Sequence, residues 1–68
     1  MTRTVTGVFQ EVDAARNAVD DLVFSGFDRE KVFLDHDTRE VKVMVPDSVE
    51  REVKEILDRH GPTEVTAH

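Results

Sequence analysis

Thr2 to Phe9 alternates residue by residue, with Val5, Gly7 and Phe9 falling on one side and Thr4, Thr6 and Val8 on the other. That period of two predicts a half-buried strand. Gly7 leaves room on the inner side for a close approach by a helix, and Val5 and Phe9 are core candidates.

The period then changes. From Val12 to Ser25 the apolar residues Ala15, Ala18, Val19, Leu22 and Val23 recur at i, i+3, i+4, i+7 and i+8, which is one face of an α-helix. Arg16, Asn17, Asp20 and Asp21 occupy the other side. Ser25-Gly26 supplies a left-handed stop, after which Phe27 can fold back on the last turn.

Lys31 to His36 returns to the strand period, with Val32 and Leu34 inside and Phe33 and Asp35 outside. Asp37-Thr38-Arg39 interrupts it. Glu40 to Val45 resumes with Val41, Val43 and Val45 inside and Lys42 and Met44 outside, so the two runs predict a β-hairpin. Pro46-Asp47 opens a second helix, with Asp47 as N-cap and Glu50 completing a capping box. Val49, Val53, Ile56 and Leu57 form its stripe. Glu50–Lys54 and Glu55–Arg59 have the favourable i, i+4 order. Gly61 at C′ and Pro62 end it, and Thr63 to Ala67 is a last short strand whose inner residue is Val65.

The order β-α-β-β-α-β fits one α+β domain over residues 1–68. The expected form is a ferredoxin-like two-layer sandwich with antiparallel sheet order 4-1-3-2 and both helices on one face. Val8, Phe33 and Met44 then fall on three neighbouring strands of the bare face, with Thr6 and Lys42 among them. These five residues are the candidate interface, expected to bind a second copy or another protein. A chain of 68 residues has one small core, with a stability of roughly 3–5 kcal/mol as a monomer, and gains from covering that face.

Composition narrows the chemistry. Fifteen acids against nine Lys and Arg give a net charge of −6, which opposes phosphate backbones and anionic lipid, so neither nucleic acid nor membrane is an expected partner. The absence of cysteine removes disulfides and thiol chemistry, including the CxxC of metal chaperones. With no apolar leader in MTRTVTGVFQEVD, a cytoplasmic location is expected.

No arginine lies between Gly7 and Ala15 to hold an anion as acylphosphatase loops do. The outer positions of the first and third strands carry Thr6, Lys42 and Met44 in place of the stacking aromatics of RNA-recognition motifs. Asp35-His36-Asp37 is the densest group of hard ligands, but successive strand residues face opposite ways, so no metal is expected. Ser25 and Ser48 sit at helix ends, where capping accounts for them. The carboxylates lie on solvated faces. His60 is expected to meet the last carbonyls of its helix. No catalytic residue and no cofactor follow from this sequence.

Gly7-Val8-Phe9, Ala15, Ala18-Val19, Leu22, Gly26-Phe27, Val32, Leu34 and His36-Asp37 together resemble the start of the bacterial general stress protein 17M-like, or heat-induced stress protein, domain family. The resemblance spans residues 5–37 and implies association with stress responses without implying a catalytic residue. The alternative is a ligand-sensing module similar to ACT domains, which would bind a small molecule at Gly7 and the Gln10 to Asp13 loop.

Overall fold

A computed structural model describes all residues 1–68. Strand β1 (Thr2–Val8) is followed by helix α1 (Val12–Phe24), the short strand β2 (Val32–Asp35), strand β3 (Glu40–Pro46), helix α2 (Glu50–Asp58) and strand β4 (Glu64–Ala67). The four strands form one antiparallel sheet in the order β2-β3-β1-β4, or β4-β1-β3-β2 from the opposite edge. No helix is long and apolar enough to cross a membrane.

Alternation along the strands decides which side is covered. Val5, Phe9, Val32, Val41, Val43 and Val45 point into the core, where Ala15, Ala18 and Leu22 of α1 and Val53, Ile56 and Leu57 of α2 meet them. Helix α1 lies over β2 and β3, and α2 lies over β1 and β4. The twelve core side chains are all apolar, and no polar side chain is buried. Gly7 is the point of closest approach: a Cβ built there would stand 3.2 Å from Phe9 Cε1 and 3.3 Å from Leu57 Cδ1.

Helix α1 ends through main-chain bonds. The N–H of Phe27 donates to the Leu22 carbonyl at 3.1 Å, and the N–H of Gly26 donates to that of Val23 at 3.1 Å. This is the paired bonding of a Schellman motif. It requires the left-handed conformation that Gly26 adopts, with φ +103°. Phe27 is thereby turned back onto the core. Arg29–Lys31 forms a single 3₁₀ turn, with the Asp28 carboxylate accepting from the Glu30 N–H at 2.9 Å.

Three local expectations are corrected. Asp47 and Glu50 form no capping box; Asp47–Val49 is a 3₁₀ turn, and α2 starts without a side-chain cap. The register Arg3↔Val45 brings Arg3 beside this turn, and its Nε donates to Asp47 Oδ1 at 2.9 Å and lies 3.6 Å from Glu50 Oε1. The Asp47 carboxylate is thus engaged by Arg3 and not by the first amides of α2. Glu50 does pair with Lys54, at 3.1 Å, but Arg59 turns from Glu55 to Asp21 Oδ2 of α1, at 3.6 Å. Gly61, with φ +68°, stands three residues beyond the last residue of α2, not at C′.

Filling the space at Gly7 tests this packing. Gly7→Val is expected to lower stability by about 1–3 kcal/mol in urea unfolding, because Phe9 and Leu57 are fully enclosed and have nowhere to move. Unchanged or raised stability would contradict the close approach.

Candidate functional site

The sheet face opposite the helices is uncovered. Cross-strand register arranges it in rows. Phe33 of β2 faces Lys42 of β3, Lys42 faces Thr6 of β1, and Thr6 faces Thr66 of β4. The next row, on the side of the hairpin tip, runs Asp35, Glu40, Val8, Glu64, while Met44 and Thr4 form the row on the other side.

These rows bring together only part of the sequence-derived patch. Phe33 and Met44 are diagonal neighbours on adjacent strands and are 50% and 39% exposed. Lys42 and Thr6 lie beside them. Val8 is separated from Met44 by two rows and stands between Glu40 and Glu64. The expected single patch of Val8, Phe33 and Met44 is therefore two features, an apolar pair with polar neighbours and a lone valine among carboxylates. Strand assignment alone could not reveal this, because it depends on the pairing register.

A second exposed aromatic was not assigned to any surface by the sequence pattern. Phe24, the last residue of α1, is 90% exposed. Its only sequence signal is position: it lies four residues after Asp20 and seven after Asn17, on the polar side of the helix.

Asp35, His36 and Asp37 border a hollow of about 420 Å³ with Phe33 and Lys42. Asp35 Oδ1 accepts the N–H groups of Asp37 at 3.0 Å and Thr38 at 3.3 Å, so this carboxylate builds the hairpin turn. The Thr38 bond first, and the Asp37 bond after it, hold its pKa below the usual carboxylate value. No three His, Asp or Glu side chains gather in a geometry that could hold a metal ion. None of the surface hollows reaches Gly7 or the Gln10 to Asp13 loop, where the ACT-like alternative would put its ligand.

His60 also departs from expectation. Its ring does not meet the carbonyls of α2; Nε2 lies 2.9 Å from Asp21 Oδ2 of α1, and both side chains are about three-quarters covered. Arg59 approaches the same oxygen. The cluster ties the end of α2 to α1 on the helix side, away from the bare face.

The hydrogen bond from His60, aided by the Arg59 charge, holds the Asp21 pKa below its ordinary 3.8. A carboxyl that ionises more readily folded than unfolded contributes stability in full above its unfolded pKa. That contribution disappears as pH falls through the lower folded value. Asp21→Asn is expected to lose no more than about 1 kcal/mol near neutrality, and the gap from the parent protein should close only on acidification below about pH 4. Urea titrations at several pH values measure it, and a pH-independent gap would contradict the pairing. Comparison with protein-family models, curated proteins and solved structures finds no match for the chain.

Proposed function

We propose that the chain is a small non-enzymatic interaction domain of ferredoxin-like topology that binds a second copy of itself through its open sheet face. The observation that carries the reading is the adjacency of half-exposed Phe33 and Met44 on a face that no helix covers. The polar residues Thr4, Thr6 and Lys42 surround them, an arrangement of apolar centre and polar rim.

Size supports a self-contact. The chain exposes 4400 Å², and an ordinary stable interface removes about 800 Å² per partner, close to a fifth of that surface. A domain this small must commit nearly a whole face to reach it. Lys42 lies one row from Glu40, so two faces in antiparallel contact can set the lysine of one against the acids of the other.

The kinship with stress-protein domains belongs to the same proposal. Of the residues behind the resemblance, Gly7, Phe9, Ala15, Ala18, Leu22 and Val32 are buried and Gly26 makes the left-handed turn. They support a shared packing scheme and bring no chemistry with them. A cytoplasmic setting, expected from the cysteine-free composition, is likewise part of the proposal.

Sedimentation equilibrium tests the contact. The parent chain is expected to self-associate at high micromolar concentration, and Met44→Glu is expected to weaken association at least about tenfold by placing a charge in the apolar pair. Its melting temperature in dilute solution should stay close to the parent's. A parent chain that stays monomeric, or a Met44→Glu variant that associates as well as the parent, would overturn the self-contact.

A further inference from the structure

The edge of the sheet carries a contact distinct from its face. Strand β2 is an outer strand, hydrogen-bonded only to β3. The direction of its free groups follows from the far side of the sheet. The Thr4 N–H donates to the His68 carbonyl at 2.8 Å and the His68 N–H returns a bond to Thr4 at 2.9 Å, so the main-chain groups of Thr4 point away from β3. Antiparallel ladders alternate, so Lys42 directs its groups toward β2 and bonds Phe33, while Leu34 directs its N–H and C=O outward. The carbonyl of Val32 points outward too, and its N–H is taken by Arg29 within the 3₁₀ turn.

The sequence about this edge is antisymmetric in charge. Reading outward from Phe33, Val32 is balanced by Leu34, Lys31 by Asp35, Glu30 by His36 and Arg29 by Asp37. Lys31 forms no ion pair within the chain, and neither does Asp35, although both are exposed.

We infer that β2 pairs antiparallel with β2 of a second copy across a two-fold axis through Phe33, joining the two sheets into one of eight strands. In that register the Leu34 N–H donates to the partner's Val32 carbonyl, and the reciprocal bond forms by symmetry. Lys31 stands opposite the partner's Asp35, and the two Phe33 rings form a non-hydrogen-bonded pair, the kind with the closer side chains. Moving the axis to Leu34 would set Phe33 against Asp35, and moving it to Val32 would set Lys31 against Phe33. Only the Phe33 register matches apolar with apolar and positive with negative.

Charges on an edge strand commonly prevent such pairing. Like charges facing each other do that; here the order makes the edge attract its own copy. Space for the partner exists on the helix side as well, where a hollow of about 420 Å³ runs between α1 and β2, lined by Val19, Val32 and Leu34 with Arg16, Asp20 and Arg29.

This contact does not depend on the open-face reading, and the two are compatible. The edge axis is normal to the sheet and a face-to-face axis lies parallel to it, so the two contacts are separate symmetric interfaces.

Chemical synthesis of the 68-residue chain allows N-methylation of the Leu34 amide, which removes the outward donor and leaves the β2–β3 ladder intact. Sedimentation equilibrium should show edge association weakened at least about tenfold. Lys31→Glu, which sets a glutamate against the partner's Asp35 and leaves the hairpin turn untouched, should weaken it as well. Met44→Glu, which alters only the face, should leave the edge dimer in place. A parent chain that is monomeric at high micromolar concentration would overturn the inference. So would association that N-methylation leaves unchanged while Met44→Glu abolishes it, and that result would leave the open-face contact standing.

Discussion

Two helices can cover only one side of a four-stranded sheet, and this limit governs the molecule. Helices of thirteen and nine residues are about 20 and 14 Å long, enough to span the strands they cross but not to reach the second face. The valines of β3, the strand that pairs with both β1 and β2, point to the covered side and close a core made only of apolar side chains. Every alternate residue must then face water. The surface on which Phe33 and Met44 stand is a direct consequence of how the core is filled.

Features set by short-range periodicity were readable from the chain. The strand alternation at Val41, Val43 and Val45, the helical stripe from Ala15 to Leu22 and the left-handed stop at Gly26 depend on nearest neighbours along the sequence, and each appears where its spacing puts it. Features decided by distant partners were not readable. Asp47 has the local context of an N-cap, yet Arg3, forty-four positions away, takes its carboxylate. His60 has the local context of a helix end, yet Asp21, thirty-nine positions away, takes its ring. Val8 belongs to the right face and the wrong row, because register is a property of strand pairs and not of single strands.

The cations divide into those that meet an acid within the chain and those that do not. Arg3, Lys54, Arg59 and His60 meet acids within the chain and fasten the helix layer. Arg29, Lys31, Arg39, Lys42 and Arg51 meet none. Arg29 and Lys31 stand in the turn just before β2, Lys42 on the bare face, Arg39 in the hairpin loop with its Nε on the Phe9 carbonyl, and Arg51 on α2. An excess of negative charge disfavours indiscriminate association, so contacts between copies need such cations set against acids in a defined register. Specificity then comes from position and not from overall attraction.

The central claim is that one sheet face is bare in the single chain and covered when chains meet. Side-chain NMR with a soluble paramagnetic probe, recorded on dilute and concentrated samples, measures this directly. The account predicts strong broadening of Phe33 and Met44 in the dilute sample, protection of both on concentration, and protection of Val5, Val43 and Leu57 throughout. Protection of Phe33 and Met44 at every dilution, or exposure of both at every concentration, would contradict it.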